Sequence, residues 1–501
     1  MQVNLINNLM EALSPLSLAI SIAVLLLALL YFGIKDKGVP PGPVGLPYFG
    51  YLPFMSNADC HLKLDALKKK HGDIFSFTCT GRLYINLGSF KAFREALISK
   101  SEYFTDRVSG YSLMKDLFRG GIVYMSGEPW KAVRKFFLQV LKERGANSIK
   151  TSISDLLYHS IKSTVNDLKA KNGEPVNLIE LLTEKCTMIM RLTLFGENGA
   201  TEEQIKKFNE LYTEEVMSMT PLNMLMCGTY AKYFIFPFMP HYSEALKSRR
   251  KMVKLIYEII DEHKATYDAN NPRDIIDEYF QERDKRQDKG DPTAEYFTDE
   301  ALVGSLKQFM GDGVLGVASL ASLLIKNVLN FPEEEDKLYK EIVEVIGVDR
   351  QPTIEDKSKL TYLNAFLLEA MRTSDFFNIF PTLECTKETT LGGHRIPIGA
   401  ILLMNFYSTH YDPEVYEEPK KFNPSRYIQT QEKRKPELPL TFGMGKRSCL
   451  GEGFVMMQVF LLLATLIQNF HLTLPEGAKE ATVEEFMHGN LLICATTRDK
   501  N

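Results

Sequence analysis

One segment near the end of the chain constrains its fold more than any other: Phe442-Gly443-Met444-Gly445-Lys446-Arg447-Ser448-Cys449-Leu450-Gly451. Gly443, Gly445 and Gly451 permit a turn tight enough for backbone N–H groups to approach the cysteine sulfur. The apolar run over 454–463 predicts a helix whose N-terminus points at Cys449 and favours its thiolate. That pattern, FxxGxRxCxG, has what a thiolate ligand to iron needs. Backbone donors temper the sulfur charge, Phe442 is placed to shield it from water, and Arg447 is placed to meet a heme propionate. The other cysteines (60, 79, 186, 227, 385 and 494) bring the total to seven and show no CxxC spacing. An odd, scattered set does not read as a disulfide framework and fits a reducing compartment. Those six are expected to be small buried hydrophobes.

The opposite end of the chain imposes a second constraint. Residues 16–34 carry no charge over about the length needed to span a hydrocarbon core. Glu11 is the only charged side chain before them and Lys35 and Lys37 follow, so the positive-inside bias puts the body in the cytoplasm. A removable signal peptide would need a basic n-region and a small-residue cleavage site, so the segment reads as an uncleaved anchor. Pro40-Pro41-Gly42-Pro43 cannot continue a helix and predicts a stiff connection. The expected organisation is an anchor over 1–37, a proline-rich hinge over 38–57 and a single large domain over 58–501.

Composition adds little beyond exclusions. A net charge of −4 argues against bulk nucleic-acid binding. Apolar spacing predicts helices over 62–70, 91–99, 130–144, 149–171, 202–219, 242–267, 299–330 and 453–469, against strands only over 75–78, 83–87, 390–395 and 401–405. The chain is therefore expected to be mainly α with a small β portion. The polar run over 282–295 reads as a solvated surface loop.

Further patterns stand in order around the cysteine segment. They are the proline-rich stretch after the anchor, a WxxxR pair at Trp130 and Arg134, an ExxR pair at Glu369 and Arg372, and Arg426 within Phe422-Asn423-Pro424-Ser425-Arg426-Tyr427. Together they resemble the cytochrome P-450 superfamily, the microsomal type, from the anchor to the C-terminus. The resemblance implies the cytochrome P-450 fold and heme b (iron protoporphyrin IX), with Cys449 as metal ligand. Trp130, Arg134, Phe442, Arg447 and Gly451 would complete the cofactor site. Glu369, Arg372 and Arg426 would form a buried charged triad that supports the loop behind the heme. It further implies a monooxygenase supplied with electrons from NADPH by NADPH-cytochrome P-450 reductase, with cytochrome b5 as a second candidate. The location implied is the endoplasmic reticulum membrane, catalytic domain facing the cytoplasm.

Two departures bear on mechanism. Family members usually carry an acid followed by threonine in the middle of the distal helix, here expected over 302–329; this chain has Leu315 and Gly316 in their place. Asp312 and Ser319 are the candidates to deliver protons instead. Microsomal members often place a cation near Leu383-Glu384-Cys385, and none stands there. By resemblance the substrate pocket draws on Tyr111, Leu113, Met114, Phe118, Val314, Leu315, Phe376, Phe377, Ile379 and Met487. These are apolar, so the substrate should be an apolar small molecule such as a steroid, fatty acid or foreign compound. The aromatic- and methionine-rich stretch over 221–240 is a candidate entry from membrane lipid. Lys131, Lys135 and Lys142, with Lys446, form a candidate basic patch for an acidic reductase. Two alternatives remain: a reductase-independent enzyme that rearranges or dehydrates a peroxide, which needs no proton relay, and a heme-binding protein without turnover.

Overall fold

A computed structural model describes Ser17 and residues 19–24, 38–143, 152–228, 230–239, 241–375, 378–429, 436–487 and 489–498. In chain order its principal elements are α1 (Cys60–His71), β1 (Ile74–Cys79), β2 (Arg82–Leu87), α2 (Leu113–Phe118), α3 (Gly127–Glu143), α4 (Ser152–Lys171), β3 (Val176–Asn177) and α5 (Leu178–Phe195). Next come α6 (Glu202–Val216), α7 (Tyr242–Ala265), α8 (Ile275–Asp288), α9 (Asp299–Gly311), α10 (Val317–Asn330), α11 (Pro332–Val345) and α12 (Thr361–Arg372). The chain closes with β4 (Ile379–Glu384), β5 (Thr389–Leu391), β6 (His394–Ile396), β7 (Ile401–Asn405), α13 (Glu452–Asn469), β8 (Phe470–Thr473) and β9 (Leu492–Thr497). Helices dominate and the strands are short, the class expected from apolar spacing.

The largest buried cluster is built from α4, α5, α9, α10, α12 and α13, with Leu157, Ile189, Leu306, Leu324, Phe366 and Phe460 at its centre. Two long apolar rods, Asp299–Asn330 and Glu452–Asn469, would be long enough to cross a bilayer, but most of each is buried within this core. The main sheet runs β1-β2-β7-β4, with β2 and β7 parallel and its other pairs antiparallel. A second sheet, β3-β9-β8, clasps the C-terminus.

Three local expectations are corrected. The run over 282–295 is largely helical, because α8 starts upstream. Asp274 caps it by accepting from the Ile276 and Asp277 N–H groups, and Arg286 pairs with Glu282 one turn away at 2.7 Å. The strand expected over 390–395 is a hairpin, since Gly392 and Gly393 take φ of 56° and 81° and reverse the chain between β5 and β6. The distal helix runs unbroken over Asp299–Asn330 but is not α throughout: α9 and α10 are joined by one wide π turn, Asp312–Gly316.

The segment over 38–57 is bonded to the body along β1. Ser76 donates its N–H to the Pro41 carbonyl at 2.8 Å and its Oγ hydrogen to the Pro40 carbonyl at 2.6 Å, and the Tyr51 N–H reaches the Thr78 carbonyl at 2.7 Å. A side chain at Gly42 would sit 1.7 Å from the Ser76 carbonyl oxygen, so only glycine lets the proline stretch lie this close. Of the expected anchor, Ser17 and residues 19–24 are described; they are helical, with Ile20, Ile22 and Val24 exposed. The rest of the anchor lies outside the described residues.

Candidate functional site

The cysteine loop leads into the N-terminus of α13. Gly443 and Gly445 take φ of 76° and 75°, the left-handed region that side-chain-bearing residues rarely adopt. At Gly445 a Cβ would lie 2.3 Å from the Leu97 carbonyl oxygen, so the loop rests directly on neighbouring backbone. The turn closes where the Cys449 N–H donates to the Phe442 carbonyl at 2.8 Å. Among the seven cysteines Cys449 alone is exposed, yet protein surrounds it, so its thiol faces an interior space. Burial pushes that thiol above its ordinary value, while the Gly451 backbone N–H pulls it down. A metal cation is what such a sulfur lacks to become a thiolate.

Around the same loop stand cations without matching anions. The Arg447 guanidinium lies 3.7 Å from the centre of the Trp130 ring, donates to the carbonyls of Thr105 and Met125, and leaves Nη1 buried without a partner among the described residues. Trp130 Nε1 is buried and likewise unpartnered. Arg134 donates to the Ser448 carbonyl at 2.7 Å and so ties α3 to the cysteine loop. Burial first, and the charges of Arg107 and Arg134 next, push Arg447 down to about 8. A guanidinium stays charged near neutrality, so its buried, unpartnered Nη1 calls for an acceptor. Two carboxylates of an iron porphyrin would meet it, and these residues fit that group.

Arg107 belongs to this cluster and was missed in the sequence. Its backbone bridges Leu383, its side chain donates to the Thr382 hydroxyl, and its Nε reaches the Val123 carbonyl at 2.7 Å. The cation absent from the stretch over 383–385 is thus supplied by a different segment packed against it. No spacing in the sequence signals this, because the two positions meet only across a strand bridge.

Beneath the loop the expected charged residues come together. Arg372 donates to both Glu369 oxygens at 2.8 and 2.7 Å, and Arg426 donates to Glu369 Oε1 at 3.0 Å. Glu369 and Arg372 have no exposed side-chain surface. Arg372 also bonds the His410 and Pro419 carbonyls, and His410 Nε2 accepts from the Leu440 N–H at 2.8 Å. Burial and the nearby Arg372 charge push His410 down to about 3.

Above the loop, Asp312 opens the π turn. Its side chain is exposed but wholly surrounded by protein, so it too faces the interior space, and its charge is felt at Cys449. Tyr212 of α6 donates its phenol hydrogen to Asp312 Oδ1 at 2.6 Å. Burial raises the Asp312 carboxyl above its ordinary value. Ser319 is half-buried two turns further along, in α10, and takes no part in the Tyr212–Asp312 bond.

The candidate pocket residues divide. Leu315 keeps accessible surface, and Tyr111 lies under the Lys232 ammonium at 4.4 Å from its ring centre. Leu113, Met114 and Phe118 of α2 are packed with Met224, Met226 and Phe236 in one buried cluster. Leu113, Val314 and Ile379 do not line a cavity: with 0, 0 and 1% of their surface accessible, Leu113 packs within the α2 cluster, Val314 faces the main core and Ile379 the underside of the sheet. The π turn and the β4–β7 pairing set those directions, which spacing alone does not reveal. Phe376, Phe377 and the Met487 side chain lie outside the described residues.

A mostly helical scaffold that holds a cysteine loop opposite a widened helix turn, with orphaned cations beside it, has the architecture of a heme-binding oxygenase. The chain matches the cytochrome P450 family over residues 40–497 and belongs to it. It is therefore a heme b-binding monooxygenase, an oxidoreductase that incorporates molecular oxygen. It is 29% identical to cytochrome P450 18a1 of Drosophila melanogaster, over 88% of this chain and 82% of that one. Identity is also 29% to cytochrome P450 2F3 of Capra hircus, over 94% and 95% of the two chains. Cytochrome P450 2J1 of Oryctolagus cuniculus is 27% identical over 89% and 88%.

Proposed function

We propose that Cys449 would ligate the iron of heme b and that the enzyme inserts one oxygen atom into an apolar small molecule, drawing electrons from NADPH through a reductase. The observation that carries this reading is the one exposed cysteine, facing an interior space beside two buried, unpartnered donors, Trp130 Nε1 and Arg447 Nη1. Bound heme supplies the iron at which oxygen is activated. The chain's own residues do the rest. Arg107, Arg447 and Trp130 hold the porphyrin carboxylates, while Arg134 and the Glu369–Arg372–Arg426 triad fix the loop. Phe442 and Gly451 shape the sulfur's surroundings. Asp312, with Ser319 as a second candidate, holds the proton that the missing acid and alcohol would have delivered.

The body sits on the endoplasmic reticulum membrane, facing the cytoplasm, with an anchor over 1–37 and a stiff connection over 38–57 leading to the catalytic domain over 58–501. Tyr230, Tyr233 and Phe238 are exposed at 63, 61 and 83%, and the Tyr230 ring lies 6.3 Å from that of Tyr48 on the connecting segment. Such an apolar face suits a lipid surface and an entry for lipid-dissolved substrates. Lys131, Lys135, Lys142 and Lys446 are exposed around the cysteine side, where an acidic reductase, and cytochrome b5 after it, would dock.

A second reading is favoured by one observation, Leu315 and Gly316 in place of the acid and alcohol: a peroxide-rearranging enzyme needs neither reductase nor relay. A substrate-binding difference spectrum against lipids and steroids identifies ligands, and NADPH consumption with reductase then separates the readings. Turnover of a lipid hydroperoxide without reductase, and none with NADPH, would overturn the first.

A further inference from the structure

Asp312 is not an isolated acid. It is the inner end of a set of buried polar groups that crosses from the interior space toward the surface. Tyr212, its bonded partner, lies one turn before Glu215 on α6, so both face α9. Glu215 and Lys307 of α9 form an ion pair at 2.5 Å, with 0% and 2% of their side-chain surface exposed. The Lys307 ammonium also donates to the Leu117 carbonyl at 3.2 Å and sits 5.4 Å from the centre of the Tyr212 ring. Glu215 Oε2 is buried with no partner among the described residues. An unsatisfied carboxylate oxygen at that depth is costly, and a bridging water would satisfy it.

The other end opens outward. Lys307 forms part of the wall of a cavity of about 120 Å³, together with Arg119, Arg249, Glu300 and Gln308. That space has room for several waters, and Arg119 and Glu300 are exposed at its rim. The packing is also specific at the inner end. A Cβ at Gly311 would lie 2.2 Å from Tyr212 Cζ, so glycine at this position is what lets the phenol reach Asp312.

We propose that Tyr212, Glu215 and Lys307 form a proton relay from this outer cavity to Asp312, in place of the acid–alcohol pair absent at Leu315 and Gly316. The inference rests on the reading of Asp312 as the distal proton holder. In each cycle Asp312 gives a proton to the interior space and Tyr212 passes its phenol proton to Asp312 Oδ1. Tyr212 takes its replacement, through a bridging water, from Glu215, which receives the Lys307 proton in turn, and a proton from the outer cavity restores Lys307. One proton enters and one leaves. Burial holds Tyr212 far above its ordinary value, so it acts only in concert, receiving as it gives. Burial also raises Glu215 and lowers Lys307, which brings their neutral forms within reach. The charged groups facing Asp312 are Lys307 and Glu215, with Arg249 behind them and Cys449 opposite.

The test reads the Asp312 proton directly in the heme-loaded protein. Infrared spectra should contain a protonated-carboxyl band that Asp312→Asn removes and Tyr212→Phe shifts. On transfer to heavy water the wild-type band should move at once. A Glu215→Gln, Lys307→Met double variant, which removes the ion pair as a unit, should slow that exchange about tenfold or more, as expected when a positioned acid–base group is lost. Tyr212→Phe should slow it as well. Unchanged exchange in both variants overturns the relay. If Asp312→Asn still raises the peroxide released per NADPH consumed, the reading of Asp312 survives that result. If Asp312→Asn removes no band and leaves peroxide release unchanged, that reading falls, and the relay with it.

Discussion

Below and above the interior space the protein treats polar groups in opposite ways. Below it Glu369, Arg372, Arg426 and His410 bond to one another and to several carbonyls, and all are largely closed to solvent. Above it Asp312 bonds one side chain among the described residues, Tyr212, on a helix turn widened by one residue, with Gly311 before it and Gly313 and Gly316 within it. A dense network has one arrangement and resists substitution, because removing any member leaves an uncompensated buried charge. A lone pair on a loosened turn carries little of the fold. It can be replaced without loss of the scaffold, so the chemistry above the heme is free to depart from the family pattern while the support below is not.

The comparison can be broken in steps. The largest effect expected is at the ligand: Cys449→Ser should abolish the far-red-shifted absorption band of the reduced, CO-bound protein, and a variant that kept it would remove the assignment. Next is the network. Glu369→Gln leaves two guanidinium groups without a counter-charge and should cost about 3–5 kcal/mol. Thermal unfolding and heme content per chain would both fall, whereas an unaltered midpoint would show that the network is not supporting the loop. Arg107→Leu removes a charged donor from the arginine cluster proposed to hold the porphyrin carboxylates, worth about 1.5–3 kcal/mol. Its measure is faster heme loss to a competing apoprotein.

Acidity should separate the two sides by sign. His410 is held at about 3 against an ordinary 6.5, so the unfolded chain binds a proton that the folded one refuses. Stability from this group is present above pH 6.5 and is lost as pH falls toward 3, by about 1.4 kcal/mol per pH unit. Asp312 is raised above 3.8, so the folded chain holds a proton longer, and its contribution is lost as pH rises through that window. Urea unfolding at stepped pH should show the acid slope flatten in His410→Gln. Asp312→Asn should remove only this opposite contribution, with stability otherwise changed by about 1 kcal/mol or less. A distal variant that lost stability like Glu369→Gln would erase the contrast between the sides.

Much of this was legible in the chain. The cysteine segment, the ExxR pair and Arg426 are local patterns, and their glycines and charges carry meaning at fixed spacing. Helical periodicity gave α1, α3, α6 and α7 to within a few residues, and β7 at its full length. Where reading failed, the deciding contact was remote or the signal was masked. The surface loop over 282–295 became α8 because its apolar face and its cap precede the polar run. Val314 and Ile379 turned from pocket into core because a π turn and a strand register set their direction.

By itself the sequence determined that the chain carries a glycine-rich cysteine turn suited to heme iron on a mainly helical body of one family, because those requirements are met by neighbours along the backbone. Only the tertiary structure decided how the rest of the site is assembled. Arg107 reaches the arginine cluster through a bridge to Leu383, and Tyr212 reaches Asp312 from another helix through the gap left by Gly311. Such groups are far apart in the chain, and what brings them together is packing, which sums contacts that no local pattern records.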